Sequence, residues 1–137
     1  MEILKVIANL DNLDDVLGFI DSLLEKAGCS PKVQAQMDIA VEEMYVNIVH
    51  YAYEGKTGEA QISAQYDEET DEFTVELKDS GIPFDPVAKP DPDVTLSAEE
   101  RRIGGLGIYM VKKSMDRMTY RREDGYNVLT LVKKLKG

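Results

Sequence analysis

Residue types that build several common kinds of site are nearly absent from this sequence of 137 residues. Cys29 is the only cysteine, His50 is the only histidine, and there is no tryptophan. An internal disulfide and a zinc site with several cysteine or histidine ligands are therefore excluded. No apolar run approaches the roughly 20 residues of a membrane-spanning helix, and Glu2 and Lys5 make the beginning unlike a signal peptide. We therefore expect a cytoplasmic protein that does not associate with a membrane.

Basic residues are scarce in the first 100 positions, which contain six Lys and Arg against 23 Asp and Glu. Residues 101–137 reverse this balance with ten basic and three acidic residues, and the formal net charge of the chain is −10. Direct nucleic-acid binding is not expected, because it needs a basic face that neutralises phosphates. A bound anion would be expected near the basic segment, although a solvated helix and strand explain the same charges.

Apolar periodicity predicts a single α/β domain. Spacings of three and four indicate helices, and alternating apolar residues indicate strands. The predicted strands lie at about 3–8, 60–66, 73–77, 118–123 and 126–135, and the predicted helices at about 13–27, at 31–53 and after the glycine run at 104–107. Hairpin connections, one of them turning at Asp124-Gly125, favour a mixed, mostly antiparallel sheet of about five strands. Three helices on one face of that sheet would give a two-layer α/β (α+β) sandwich.

The segment between the third predicted strand and the third helix shows neither periodicity. Four of the five prolines lie between residues 83 and 92, so no helix or central strand can occupy that part. Long loops inside compact domains are usually functional or mobile. The run Gly104-Gly105-Leu106-Gly107 then opens a helix whose bare backbone amides would attract phosphate, and a hinge is the structural alternative. A dinucleotide-binding fingerprint does not fit, because no strand precedes the glycines.

Two further groups of residues suggest chemistry. Glu43 and Asn47 lie four residues apart in the second predicted helix, so both side chains lie on one face. An amide oxygen is a neutral Mg²⁺ ligand, and a carboxylate can take a proton from an attacking hydroxyl. Asp79 ends a predicted strand before Gly81 and Pro83, where it could accept a hydrogen bond from the exocyclic amine of a planar ring. The alternative for Glu43 and Asn47 is a pair of surface residues without chemistry. The alternative for Asp79 is a simple Asx turn.

Together these elements resemble the bacterial anti-sigma factor serine/threonine kinases, which belong to the histidine-kinase-like ATPase superfamily with the Bergerat fold. The resemblance rests on residues 40–53 (AVEEMYVNIVHYAY), 79–86 (DSGIPFDP) and 104–108 (GGLGI), and it spans nearly the whole chain. It implies a single histidine-kinase-like ATPase domain over residues 1–137 that uses ATP and Mg²⁺. It also implies a lid over ATP at about residues 87–103.

The resemblance assigns individual roles to the residues of these motifs. Glu43 would be the catalytic base that accepts the proton of a substrate serine, and Asn47 would be the Mg²⁺ ligand. Asp79 would bind the adenine amino group, with Gly81 shaping the base pocket. The implied nucleotide-binding set is Asn47, Asp79, Gly81, Gly104, Gly105, Leu106 and Gly107. Either Arg101 or Arg102 would contact the terminal phosphate, whereas Thr130 does not match the Gly-Thr pair that many superfamily members place near adenine.

The function implied by the resemblance is that of an ATP-dependent protein serine kinase and anti-sigma regulator. Such a protein phosphorylates a small anti-anti-sigma protein, sequesters a sigma factor and commonly forms a homodimer. One alternative is a non-catalytic ATP-binding adaptor that switches partners, but an adaptor would need neither Glu43 nor Asn47. Another is a histidine-kinase-like ATPase domain that acts on a different acceptor protein.

Overall fold

The computed structural model describes residues 1–88 and 105–137 of the chain. The helices and strands of these ranges are β1 (Glu2–Ile7), α1 (Leu13–Ala27), α2 (Pro31–Asn47), β2 (Glu59–Asp67), β3 (Glu72–Asp79), α3 (Gly105–Ser114), β4 (Arg117–Glu123) and β5 (Tyr126–Lys134). The predicted order of elements and the two-layer α/β architecture are confirmed. None of the described helices is long and apolar enough to cross a membrane.

The five strands form one sheet in the order β1-β2-β3-β5-β4. Each described pairing is antiparallel, so the sheet has no parallel component among these strands. β3 lies at the centre, and its last residue, Asp79, is opposite Ala60 on one side and Asn127 on the other. The end of the central strand therefore brings together two polar side chains that are 48 residues apart in sequence.

The helices bury the residues that recur at spacings of three and four. In α1 these residues are Val16, Ile20 and Leu24, which pack in the core with α2 and the sheet. α2 buries Tyr45 completely, and the Tyr45 hydroxyl donates to the carbonyl of Asn9 at 2.7 Å. A buried phenol needs such a partner, and this bond fixes α2 to the connection between β1 and α1.

α2 ends earlier than the sequence pattern predicts, because a π-helical turn follows it. The predicted helix continued to about Tyr53, whereas α2 ends at Asn47 and the π-helical turn comprises Ile48–Ala52. The wider turn changes the direction of the side chains that follow Asn47. It also presents the carbonyl of Ala52 to the backbone N–H of Ile82, which donates to it at 2.8 Å.

Two carboxyl groups meet where α1 packs against α2. Partial burial is the main reason that the pKa of Asp38 rises to about 7, and the neighbouring Asp21 and Glu42 carboxylates add to this shift. The Oδ1 atom of Asp38 is buried without a donor among the described residues. The side-chain hydrogen bond between Asp38 and Asp21 requires a proton between the two carboxyl groups, so we infer that the folded protein holds this proton near neutral pH.

We expect the free energy of unfolding to fall as pH rises from about 4 to 7, because the unfolded chain releases the Asp38 proton near pH 4 and the folded chain near pH 7. Asp38→Asn should remove this loss, which is on the order of 1 kcal/mol once solvent screening is considered. Urea unfolding at several pH values measures the effect, with Glu68→Gln in an exposed turn as the control. An unchanged pH dependence in Asp38→Asn would contradict the shared proton.

Candidate functional site

A cleft opens beside the C-terminal end of β3, between α2, the π-helical turn and β5. Its space, counted together with the open solvent at its mouth, is about 390 Å³. The apolar part of its wall includes Met44, Ile48 and Leu77, and the polar part consists of Asn47, Asp79, Tyr120 and Asn127. We refer to it as the β3 cleft. An apolar wall with a few buried polar groups is the usual form of a small-molecule site.

Asp79 is buried in this cleft, with only 5% of its surface exposed. Its Oδ1 atom accepts two hydrogen bonds at 2.9 Å, from the backbone N–H of Gly81 and from Nδ2 of Asn127. Its Oδ2 atom makes no hydrogen bond to any residue that the structure describes. One oxygen therefore holds the carboxylate in place, and the other is available to accept a hydrogen bond from a ligand.

Gly81 lies against the π-helical turn more closely than any residue with a side chain could. A Cβ atom at this position would stand 2.2 Å from the backbone oxygen of Ala52. The carbonyl of Gly81 also accepts a hydrogen bond from the Arg122 guanidinium at 2.7 Å. These contacts hold the chain that leaves β3 along one side of the β3 cleft, where the sequence predicted Gly81 to shape a base pocket.

Asn47 and Glu43 lie one helical turn apart on α2 but contact different neighbours. Asn47 lines the β3 cleft, and its Nδ2 atom is buried without a hydrogen bond to a described residue. Glu43 is half-buried and lies beside the first turn of α3, where a Cβ on Gly107 would stand 2.1 Å from its Oε2 atom. The structure thus brings Glu43 and Gly107 together, with Asn47 one turn further along α2.

Part of the predicted nucleotide site lies outside the described residues. α3 begins at Gly105, so Gly105, Leu106 and Gly107 form its first turn as predicted. Gly104, both candidate arginines (Arg101 and Arg102) and most of the predicted lid fall in the range 89–104 that is not described. The roles assigned to these residues stay predictions.

Asn127 was not predicted from the sequence, although it is as buried as Asp79 and forms part of the same wall. The sequence does contain an indication of this residue. Asn127, Leu129 and Leu131 lie two residues apart, so their side chains point to the same face of β5, and that face is turned to the core. A polar residue at a core-facing position is uncommon and calls for a hydrogen-bond partner. The side chain of Thr130 points to the other face of β5, and its partner on β3 is Glu76. This agrees with the exclusion of Thr130 from the site.

Comparison with known families places this arrangement in a defined class. Residues 6–133 match the sequence profile described as the histidine kinase-like ATPase domain. The chain therefore belongs to this family, and ATP is the nucleotide that such domains use.

Two relatives indicate which kind of enzyme within this ATPase family the chain is. The chain is 29% identical over 114 residues to the serine-protein kinase RsbW of Listeria monocytogenes serovar 1/2a, an alignment covering 80% of this chain and 72% of the relative. It is 25% identical over 117 residues to the serine/threonine-protein kinase BtrW of Bordetella bronchiseptica, covering 85% of this chain and 82% of that one. These relatives confirm the predicted membership of the anti-sigma factor kinases and the predicted class of enzyme, the protein serine/threonine kinases.

Solved structures confirm the fold. The RsbU and RsbW domains of Rv1364c from Mycobacterium tuberculosis match with a TM-score of 0.65 at 16% identity, over 98% of this chain and 33% of that one. The histidine kinase domain of a blue-light activated kinase from Erythrobacter litoralis EL346 matches with a TM-score of 0.58 at 14% identity, over 91% of this chain and 60% of that one. The chain therefore spans about a third of that solved two-domain chain.

Proposed function

We propose that this protein transfers phosphate from ATP to a serine of a small anti-anti-sigma protein and, as an anti-sigma factor, sequesters a sigma factor. The observation that carries the proposal is the contact of the Glu43 carboxylate with Gly107 in the first turn of α3. In this position the Glu43 carboxylate would be a proton acceptor beside the backbone that would hold phosphate. The relatives named as serine-protein kinases support the same activity.

The β3 cleft would hold the adenine base. The Oδ2 atom of Asp79 would accept a hydrogen bond from the exocyclic amine, since an ionised carboxylate only accepts. Met44 and Leu77 offer apolar surface to the planar ring, and Gly81 leaves room along the edge of the cleft. Together these groups would select a flat base that carries a donor.

Asn47 fits the role of the Mg²⁺ ligand. Its side chain lines the β3 cleft, and Oδ1 is the atom that would bind the cation, because an amide nitrogen can only donate. Its Nδ2 atom is buried without a hydrogen bond to a described residue, so it is free to donate to a phosphate oxygen of the same nucleotide. Among those residues no cluster of three or more acidic, His or Cys side chains could hold a metal alone. This agrees with a cation held by one protein amide, nucleotide phosphates and water, as Mg²⁺ prefers. When bound, Mg²⁺ neutralises charge on the phosphates.

Glu43 would act on the incoming serine. Its side chain reaches the first turn of α3, whose backbone amides and positive dipole favour phosphate oxygens. Gly107 has no side chain that would push the carboxylate away. Glu43 would therefore accept the hydroxyl proton as the serine oxygen bonds to the terminal phosphorus of ATP and the bond from that phosphorus to ADP breaks. Positioning would supply most of the remaining acceleration.

The proposal extends to the whole chain and its assembly. We propose that residues 1–137 form one ATPase domain, that residues 87–103 close over ATP, and that Arg101 or Arg102 contacts the terminal phosphate. We also propose that the protein acts as a homodimer.

Incubation of the protein with Mg²⁺, ATP and a small anti-anti-sigma protein from the same genome tests this function. We expect phosphoserine on the small protein by mass spectrometry, and chelation of Mg²⁺ should abolish it. Binding of ATP without any phosphoserine would replace the proposal by an adaptor function. Phosphate on a residue other than serine would identify a different kind of acceptor.

A further inference from the structure

We infer that Asn127 is a positioning residue that holds Asp79 in the orientation needed to recognise a purine with an amine at C6. The inference rests on the proposed binding of ATP in the β3 cleft. It adds a residue of β5 to a site in which Asn47, Asp79 and Gly81 were predicted from sequence motifs.

Both polar atoms of the Asn127 amide form hydrogen bonds. Nδ2 donates to Oδ1 of Asp79 at 2.9 Å and to the carbonyl of Ile82 at 2.8 Å. Oδ1 accepts from the Tyr120 hydroxyl and from the backbone N–H of Phe84. A reversed amide would place its oxygen against two acceptors, Asp79 and Ile82, so only one orientation satisfies all partners.

This fixed amide limits the rotation of the Asp79 carboxylate. Asp79 Oδ1 receives donors from two directions, Gly81 on its own loop and Asn127 on the neighbouring strand. Both Asp79 and Asn127 are 5% exposed, so water cannot readily replace either bond. With Oδ1 held in this way, Oδ2 is the oxygen that remains for the ligand.

The consequence is selectivity between bases. A held carboxylate oxygen attracts the C6 amine of adenine and repels the C6 carbonyl of hypoxanthine or guanine, because it can only accept. Without the Asn127 donor, the carboxylate can rotate and the direction of this acceptor is lost. Asn127 would thus act on base choice without touching the base itself.

The test compares two nucleotides that differ only at C6, namely ATP and purine riboside triphosphate, which has hydrogen in place of the amine. Asn127→Asp keeps the shape and the Oδ1 acceptor but removes the donor, and Asn127→Leu removes the donor without adding charge. We expect both variants to lower ATP affinity about tenfold, as for a weakened hydrogen bond to a charged group. Affinity for purine riboside triphosphate should change by less than about twofold on the same argument.

Calorimetry measures both affinities, and thermal unfolding of each variant establishes that the titrated protein is folded. Thr130→Ala is the matched control, because Thr130 lies three residues further along β5 and its side chain points to the other face of the strand. This variant should retain the wild-type ratio of the two affinities. If both Asn127 variants kept the wild-type ratio of the two affinities, with or without an equal loss of both, the positioning role would be overturned. Wild-type protein that binds neither nucleotide would instead refute the proposed function.

Discussion

Glu43→Gln is expected to lower the rate of phosphoserine formation by about 10²- to 10⁴-fold, the usual contribution of a general base. Glutamine has nearly the same size and can keep the contact with Gly107. It cannot take the proton of the serine hydroxyl at neutral pH. ATP should still bind at least as well, because the substitution removes a negative charge near the phosphates.

A matched control distinguishes loss of the base from loss of charge on α2. Glu42 precedes Glu43 on the same helix and is exposed. Glu42→Gln should therefore transfer phosphate at the wild-type rate. The measurement is initial phosphoserine formation at saturating Mg²⁺ and ATP, with ATP affinity determined separately by calorimetry. Equal rates for Glu43→Gln and the wild type would remove Glu43 from the chemistry.

Asp79→Asn is expected to weaken ATP binding by roughly 1.5–3 kcal/mol, or about 10- to 150-fold, the value of a charged hydrogen bond. The structure explains the direction of the effect. The new amide would turn its oxygen towards the donors on Gly81 and Asn127, which leaves its NH₂ group facing the ligand. A donor would then oppose the donor at C6 of adenine.

The same reversal predicts a change of specificity. Inosine triphosphate carries a carbonyl at C6, so Asp79→Asn should raise its affinity relative to ATP. Glu76→Gln, on the same strand but outside the β3 cleft, is the control and should leave both affinities unchanged. Calorimetric titration with the two nucleotides would contradict the assignment if Asp79→Asn bound ATP as tightly as the wild type.

Local patterns were sufficient for most of the fold. The stripe containing Val16, Ile20 and Leu24 predicts α1 because a helix brings every third or fourth residue to one face. The alternation in β3 predicts a strand with one buried face because successive side chains point to opposite sides. Asp79 and Asn47 were also selected as candidate site residues from the sequence, because residue types and short spacings can be read without a structure. Both line the β3 cleft.

Other features depend on residues that are distant in sequence. The π-helical turn follows Asn47 without a break in the apolar pattern, so periodicity alone extended α2 to Tyr53. The close approach of Gly81 to Ala52 and that of Gly107 to Glu43 require the packing of separate elements. No local rule describes such contacts, because they depend on how the helices lie on the sheet.

The sequence by itself determined the order of the elements, the two-layer class and the family, because these follow from short-range periodicity and motifs of a few residues. Only the tertiary structure decided that Asn127 holds Asp79 and that Glu43 lies at the first turn of α3. The antiparallel register of β3 and β5 places Asn127 opposite Asp79, and the packing of α2 against α3 places Glu43 beside Gly107. Both are long-range pairings, which form only when the whole core is assembled.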